Sequence, residues 1–340
     1  MRALVILGLA LTLIYGLGSS LIPLLVAAVG ALLSQPLLAW LRARGIRPPF
    51  STLMILLGVF VPIIVLSVTL VPIFFEELKD FLAALPQYLT NFLDQVEAIA
   101  VHIGLSMDYS RDEIRELVNR HSAELSVNAL KFVGDTLKHS AGNLTGVILA
   151  TLNVFLIPVF FFYLVSENSY WQSLVLKLFP EGQRARFSRT FDQCVDLLKS
   201  YLQGQSLACA TLAACYACGL LLVGLRFGAL IGILTGALSF MPYVGFSLGL
   251  AAGVVVAFSM GKGFGFVAVV LAVFFVVQSL ESFVITPRLV GNTVGLTPLE
   301  SILVLIVFGN LAGFTGMLVA IPTAAILKII AAEYFMGEKA

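Results

Sequence analysis

Residues 227–260 read FGALIGILTGALSFMPYVGFSLGLAAGVVVAFSM, an apolar stretch that is interrupted by Pro242. Glycines recur at every fourth position, at 228, 232 and 236 before Pro242 and at 245, 249 and 253 after it. This spacing places the glycines of each half on one helical face, where two helices can approach closely in lipid. Each half forms only about 21–24 Å of helix, which is shorter than the ~30 Å hydrocarbon core of a bilayer. The stretch therefore predicts a re-entrant hairpin; a single span kinked at Pro242 is the alternative.

Residues 299–332 form a second interrupted apolar stretch. Thr297 is predicted to cap a helix that begins near Pro298, with Glu300 in its first turn beside the positive helix end. Non-helical backbone at membrane depth is tolerated only where protein or a water-filled cavity surrounds it. Two interrupted apolar segments in one chain are typical of a transporter binding site. The polar and glycine-rich break is predicted at Gly309, Asn310, Gly313 and Gly316, and the second arm contains Pro322.

The composition of the whole chain agrees with a membrane location. Of 340 residues, 59% are apolar and only 11% are charged, whereas a soluble domain carries about 25% charged residues. We therefore predict an all-α integral membrane protein with about eight membrane segments, including the two re-entrant hairpins. The six other candidate spans, each near the ~20 residues that a bilayer requires, are 3–20, 21–41, 51–75, 144–165, 201–225 and 264–285.

Basic residues predict the orientation of these spans. Arg42, Arg44 and Arg47 form one cluster, and five more Lys or Arg residues lie in the loop 166–200. Because short cytoplasmic loops are enriched in Lys and Arg, both regions are expected in the cytoplasm. An even number of spans precedes the first cluster, so the N-terminus is also predicted inside, and the C-terminus likewise. Arg288 is cytoplasmic if the interrupted stretches are hairpins and outside if they are kinked spans.

Residues 76–140 lie outside the membrane in this topology. They carry 11 acidic and 6 basic residues, and their apolar residues recur at three- and four-residue spacing, which predicts amphipathic helices. The predicted domains are an N-terminal transmembrane scaffold (1–75), these extracytoplasmic helices (76–140), a fourth span with a cytoplasmic helical loop (141–200), and a C-terminal transport module with broken helices (201–340).

One cluster of sequence resembles a known family. Residues 278–291 read QSLESFVITPRLVG, and 294–299, 313–317 and 321–322 follow with VGLTPL, GFTGM and IP. These motifs, with Tyr201, Gly204, Gln205, Pro242 and Gly245, resemble the signature of the autoinducer-2 exporter family, a group of PerM-type permeases. The resemblance covers nearly the whole chain and implies export of a small solute across the bacterial inner membrane. Members of the family are associated with autoinducer-2, and others with cation/proton exchange.

Two positions depart from the family pattern. Thr297 stands where many relatives have a histidine before the proline, and Phe246 follows Gly245 where a proline is common. If that histidine handles protons or substrate in relatives, this protein must use other groups.

Glu281 is the main candidate for ion coupling. It lies about two-thirds of the way along an apolar span, where an ionised carboxylate costs a few kcal/mol. Such a group faces a cavity, pairs with a cation or stays protonated. We interpret Glu281 as a proton- or cation-coupling carboxylate, with Gln278 one turn away as its polar companion. In the alternative interpretation, Glu281 is a structural partner of Arg288 or of a backbone N–H freed near Pro287.

The other candidates have weaker support. Arg288 is expected to hold substrate or Glu281, or else to anchor a span end at the interface. Asn310 is expected to offer its amide to substrate or ion, or else to satisfy loop backbone. Residues predicted to allow conformational change, through turns that proline and glycine permit, are Pro242, Gly245, Pro287, Gly291, Gly313, Gly316 and Pro322.

Several other functions are disfavoured by the sequence. Cys215 and Cys218 lie in an apolar span without a nearby histidine, so we expect packing residues and no metal, and we expect no cofactor. No nucleotide-binding Gly-x4-Gly-Lys-Ser/Thr motif is present, so any pumping uses an existing gradient. Nucleic-acid binding is not expected, because no basic stripe with interleaved aromatics occurs. An intramembrane enzyme would need paired catalytic residues at membrane depth, and Glu281 is the only acid well inside a span.

The sequence thus predicts a secondary transporter, not an enzyme, that exports a small solute such as an autoinducer-2-like signal by alternating access. A cation/proton antiporter of the same family is the alternative, and a scaffold that recruits partners through 76–140 is a further one. The expected surroundings are the lipid bilayer of the bacterial inner membrane. The glycine faces and the outer segment predict a homo-oligomer.

Overall fold

The computed structural model of the chain describes residues 22–102, 156–166, 181–291 and 294–333, with five isolated positions between 120 and 131. The predicted span 3–20, most of the outer segment beyond His102 and the first half of the fourth span lie outside the described residues. Every regular element in the described part is helical, which confirms the all-α prediction. In chain order the elements are α1 (Ile22–Leu33), α2 (Gln35–Ala43), α3 (Pro48–Ile55), a short π-helical turn (Leu56–Phe60), α4 (Val61–His102), α5 (Leu156–Ser166), α6 (Glu181–Val223), α7 (Gly228–Leu238), α8 (Val244–Ser259), α9 (Phe264–Leu280), a π-helix (Glu281–Val290) and α10 (Pro298–Ala331).

Membrane-spanning candidates are fewer in the described part than the sequence predicts for the whole chain. Three helical stretches, 184–223, 264–290 and 298–331, are long and apolar enough to cross a bilayer. The pair 26–33 and 35–43, bent by 47°, makes a fourth if it is one span. The total of about eight membrane segments stays a prediction.

Helix α4 joins two segments that the sequence analysis treated separately. It runs without interruption through position 75, where we placed the end of the third span, and continues to His102. Residues 61–102 contain no glycine, and glycine is the residue that most often ends a helix. No helix end therefore marks the predicted boundary between the membrane and the outer segment.

The chain divides into two compact units. The first comprises 1–67, 140–203 and 292–340, and the second comprises 68–139 and 204–291. Helices α4 and α6 each contribute to both units without a break, so the unit boundaries fall inside helices. The four predicted domain ranges stay a prediction.

The first unit has a small apolar core around Phe161. Gly30 packs against Phe60 and Phe161, and the Gln203 side chain donates a hydrogen bond of 2.8 Å to the Leu32 carbonyl. The buried apolar residues of this core are Ala27, Ala31, Leu38, Leu41, Ile55, Phe161 and Val165.

The second unit is built on close helix contacts at glycine. A Cβ atom at Gly232 or Gly236 would overlap the backbone of Ala217 or Ala213 in α6. Because glycine allows backbones to meet in this way, α7 packs directly and antiparallel on the second half of α6. The glycine face predicted before Pro242 therefore serves contacts within the chain.

Helices α7 and α8 form a hairpin. Gly249 meets the Thr235 side chain, and Gly245 meets Ser239, so the contacts are symmetric about Pro242. The tip residue Tyr243 has φ 69°, a left-handed conformation that reverses the chain. Thus the two arms fold back on each other and do not continue as one kinked span. The re-entrant placement of this first hairpin in a bilayer stays a prediction.

Helix α10 folds back in the same way. Ala312 and Gly313 have non-helical backbone angles, within the predicted break at 309–316. The Lys328 ammonium lies 3.2 Å from the Glu300 carboxylate, although 28 residues of straight helix would separate them by about 42 Å. Residues 298–311 and 314–331 are therefore the arms of a second hairpin, and the stretch 298–331 is not a straight span although its length and composition would allow one. Both arms are shorter than a bilayer core, at about 21 and 27 Å. The placement of this hairpin in a bilayer stays a prediction.

Candidate functional site

Glu281 is the first residue of the π-helix and is partly buried. Helix α9 leads directly into it, so the hydrogen-bonding pattern changes at the carboxylate that the sequence singled out. Pro287, inside this π-helix, has no amide hydrogen, and Gly291 ends it with φ 56° and ψ −151°. Stretches of π-helix are rare and occur frequently at functional sites.

Polar residues lie near Glu281. Gln278 precedes it by about one helical turn in α9, and the Oε1 atom of Gln278 accepts a hydrogen bond of 3.5 Å from the Tyr216 hydroxyl. Cys209 lies in the part of α6 that packs along α9 and the π-helix. We name these four residues the Glu281 cluster; two come from α6 and two from α9 and the π-helix.

The tip of the first hairpin is held by the same face of α6. The Gln205 amide donates 2.9 Å to the Ser239 carbonyl at the tip and contacts the Cys209 sulfur at 3.8 Å. Ser239 is buried, and its hydroxyl donates 2.8 Å to the Thr235 carbonyl. A movement of the hairpin tip would therefore disturb Gln205, which contacts Cys209 of the Glu281 cluster.

Glycine also brings α6 against the end of the π-helix. A Cβ atom at Gly204 would overlap the Leu289 carbonyl, and one at Gly219 would meet Val273 of α9. Together with the Tyr216–Gln278 contact, these pairs define an antiparallel register. This register sets Glu281 opposite the part of α6 that carries Cys209 and Tyr216.

Sequence reasoning found Glu281 and Gln278 but missed Tyr216 and Cys209. In an apolar span, a tyrosine resembles an aromatic core residue and a cysteine resembles a small packing residue. The available signal was their spacing, because Gln205, Cys209 and Tyr216 are separated by four and seven residues and share one helical face.

Arg288 is not brought to Glu281. Its side chain is exposed, and no ion pair joins the two residues in the part of the chain that the structure describes. The alternative of a structural Glu281–Arg288 pair therefore has no support here. Pro242 lies at the tip of the first hairpin, beside Gly245.

The remaining predicted residues belong to the other unit. Asn310 is exposed, and its amide donates 2.8 Å to the Ile306 carbonyl of its own arm. Gly313 forms the break, Gly316 meets the Phe308 carbonyl, and Pro322 is buried in the second arm. Asn310 thus donates to the backbone of its own arm, and a role for it in binding substrate or ion stays a prediction.

The Glu281 cluster contains one carboxylate, one amide, one hydroxyl and one thiol in helices that are otherwise mainly apolar. A carboxylate of this kind is able to bind a proton or a cation. Among the described residues, no group of three or more His, Cys, Asp or Glu side chains is arranged to hold a metal ion, and the four cysteines are free thiols.

Helical hairpins, together with apolar helices long enough to cross a bilayer, one of which carries a carboxylate, are features of polytopic membrane proteins of the transporter class. The sequence profile described as AI-2E family transporter matches residues 3–336. The chain belongs to this family and is a membrane transporter.

Curated relatives carry names that agree with this class. The chain is 26% identical to Putative transport protein YueF of Bacillus subtilis over 308 residues, which cover 90% of this chain and 82% of the relative. It is 28% identical to Putative transport protein sll0063 of Synechocystis over 329 residues, with 94% and 79% covered. It is 26% identical to Putative permease PerM of Escherichia coli K12 over 329 residues, with 96% and 91% covered.

Proposed function

We propose that this protein is a gradient-coupled permease that exports a small solute across the bacterial inner membrane by alternating access. An autoinducer-2-like signal is the proposed solute, in line with the family. The observation that carries the proposal is the Glu281 cluster. A carboxylate inside an apolar helix, with an amide side chain about one turn away, can gain or lose one proton per transport cycle.

The charge of Glu281 is costly inside an apolar membrane helix. An ionised carboxylate within a membrane span costs a few kcal/mol, and hydrogen bonds from neighbours offset part of this cost. Small changes in water access therefore change whether Glu281 is charged. Such a group can couple a proton gradient to a conformational change.

Supporting evidence also comes from the base of the first hairpin. The Gln95 amide donates 2.6 Å to the Phe258 carbonyl, and the Ser259 hydroxyl donates 2.7 Å to the Tyr88 carbonyl. Both bonds tie the hairpin base to α4 beyond position 76, which we predict outside the cytoplasm. We infer that this hairpin enters the membrane from the outer side.

The base of the second hairpin is attached to the first half of α6 and not to α4. Arg186 of α6 pairs with Glu333, at 2.9 Å between Nε and Oε1. Arg186 lies in the basic segment that we predict in the cytoplasm, so we infer that this hairpin enters from the inner side. Hairpins that open to different sides support alternating access and a cytoplasmic C-terminus.

The proposal is tested with purified protein in liposomes under an imposed pH gradient. Glu281→Gln is expected to lose gradient-driven flux while still inserting into the membrane, because the amide cannot carry a proton. Glu181→Gln is the matched control: this exposed carboxylate lies at the start of α6, and its removal is expected to leave the flux unchanged.

Three further outcomes decide between the alternatives. Proton movement driven by a Na⁺ gradient with no organic solute present would favour the cation/proton antiporter. Wild-type flux from Glu281→Gln would remove this residue from the mechanism. No flux of any solute or ion from the wild-type protein would contradict transport by this chain and favour the scaffold.

A further inference from the structure

The turn between α2 and α3 carries two exposed arginines. Helix α2 ends at Ala43, and α3 begins at Pro48. Gly45, with φ 83°, reverses the chain between them, and the two helices pack on each other. Arg44 and Arg47 lie on either side of this reversal. Their Cα atoms are at most about 11 Å apart, because three residues of chain reach no further, so both long side chains can contact one ligand.

Arg44 is stacked on an aromatic ring. Its guanidinium carbon lies 3.6 Å from the centroid of the Trp40 ring, a cation–π contact that the planar guanidinium favours. Stacking uses one face of this group, so the N–H donors around its edge stay available for an acceptor. The third arginine of the cluster, Arg42, donates 3.5 Å to the Val165 carbonyl of α5.

No acidic residue balances the charge of this turn. Residues 1–75 contain no Asp or Glu, and no ion pair joins Arg42, Arg44 or Arg47 to a carboxylate in the part of the chain that the structure describes. A guanidinium group binds phosphate oxygens through two parallel N–H···O bonds. The turn is therefore complementary in charge and geometry to a phosphate group.

Large apolar side chains lie next to the arginines. Leu37, Trp40 and Arg44 are spaced by three and four residues and so share one face of α2, on which Leu37 and Trp40 are 40% and 49% exposed. In α3, Phe50 and Met54 are also exposed. The exposed face of α2 is thus apolar and ends in a cation. A phospholipid matches both parts, whereas a free phosphate or an acidic peptide matches only the cation.

We propose that the α2–α3 turn is a binding site for an anionic phospholipid. Arg44 and Arg47 hold the headgroup phosphate, and the exposed face of α2 contacts an acyl chain. Basic clusters beside membrane helices recognise anionic headgroups in this way, and tryptophan is enriched at the level of the headgroups. A zwitterionic lipid brings its own cation to the arginines, so the site prefers a lipid with net negative charge. The site is separate from the proposed transport function.

The test uses the fluorescence of Trp40 in vesicles. The chain contains two tryptophans, so Trp171→Phe leaves Trp40 as the only one. The purified protein is placed in phosphatidylcholine vesicles, and phosphatidylglycerol with brominated acyl chains is titrated in, because bromine quenches a tryptophan that it contacts. Brominated phosphatidylcholine is titrated in parallel. Half-maximal quenching is expected at a mole fraction of phosphatidylglycerol that is lower than that of phosphatidylcholine by roughly tenfold or more.

Three variants test the arginines in this background. Arg44→Gln and Arg47→Gln are each expected to reduce the preference for phosphatidylglycerol roughly fivefold. Arg47→Gln leaves the Arg44–Trp40 stack in place, so its effect does not arise from changed surroundings of the indole. Arg44→Lys keeps the charge without the planar group and is expected to retain only part of the preference. Each signal is normalised to the emission in vesicles without bromine.

The matched control is Arg226→Gln. Arg226 is also exposed and also lies over an aromatic ring, at 5.2 Å from the centroid of Phe227, but it belongs to the second unit. This variant loses the same unit of charge as Arg47→Gln. The preference of Trp40 for phosphatidylglycerol is expected to stay unchanged.

Four outcomes would overturn the proposal. They are equal quenching by both lipids before any arginine is changed, equal loss of preference in Arg226→Gln and Arg47→Gln, full preference in Arg44→Lys, and release of the quenching by soluble inorganic phosphate or a poly-glutamate peptide. The last result would assign the arginines to a free anion or an acidic protein segment. If Arg44→Gln does not fold, an unchanged preference in Arg47→Gln overturns the proposal alone.

Discussion

At the scale of the residue, the backbone conformation of Gly313 explains why the break in α10 needs a glycine at this position. Its φ of 58° and ψ of −141° lie in a region that essentially only glycine occupies. A Cβ atom built at this position meets nothing within 4 Å. Packing therefore does not require glycine at 313, and the backbone conformation does. The sequence showed a glycine-rich break but not which of its glycines turns the chain.

We expect Gly313→Ala to destabilise the second hairpin by about 1–3 kcal/mol, the cost of holding a non-glycine residue in this conformation. Unfolding of the purified protein in detergent measures the change. Gly265→Ala is the control, because Gly265 lies in α9 with ordinary φ and open space around it. There alanine is expected to be neutral or to stabilise by up to ~1 kcal/mol, and equal destabilisation of both variants would contradict the argument.

At the scale of the element, the second hairpin is closed at its base by polar contacts. Thr297 and Glu300 form the capping box at the start of α10, which confirms the predicted cap. Lys328, near the other end, donates 2.7 Å to the Gly295 carbonyl and pairs with Glu300. The sequence analysis did not pair Lys328 with Glu300, because sequence spacing indicates only neighbours within a few helical turns.

The folded-back hairpin predicts a cross-link. With the four native cysteines replaced, Glu300→Cys and Lys328→Cys are expected to be bridged within one chain by a short bifunctional thiol reagent, and mass spectrometry identifies the joined peptides. The control pair, Thr315→Cys with Lys328→Cys, lies on one arm about 20 Å apart and is not expected to be bridged. No link between 300 and 328 would indicate a straight α10.

At the scale of the whole molecule, the glycine faces serve a different purpose from the one expected. Gly232, Gly236, Gly245 and Gly249 are buried in contacts within the second unit. They are therefore not available for contact with a neighbouring copy of the chain. Of the two features on which we based the homo-oligomer prediction, only the outer segment 76–140 still supports it. The chain's assembly state stays a prediction.

Orientation is also a property of the whole molecule. In a background without native cysteines, Asp80→Cys and Lys262→Cys are expected to react with a membrane-impermeant maleimide added to intact spheroplasts. Asp196→Cys is expected to react only in inverted vesicles, because basic loops face the cytoplasm. All three positions are exposed. Labelling of Asp196→Cys from outside would reverse the proposed topology and the proposed sides of both hairpins.

Local sequence patterns were enough to predict the helical membrane class, the two interrupted stretches and the cap at Thr297, and they marked the carboxylate of Glu281 as a candidate. These follow from local composition and spacing, because burial of apolar surface and backbone hydrogen bonding act on each segment separately. The packing of the helices was needed to show that both stretches fold back as hairpins and that Tyr216 and Cys209 lie in the part of α6 opposite Glu281, whereas Arg288 is exposed. Those contacts depend on the register between helices distant in sequence, which close packing at Gly204, Gly219 and Gly232 sets and which no local pattern specifies.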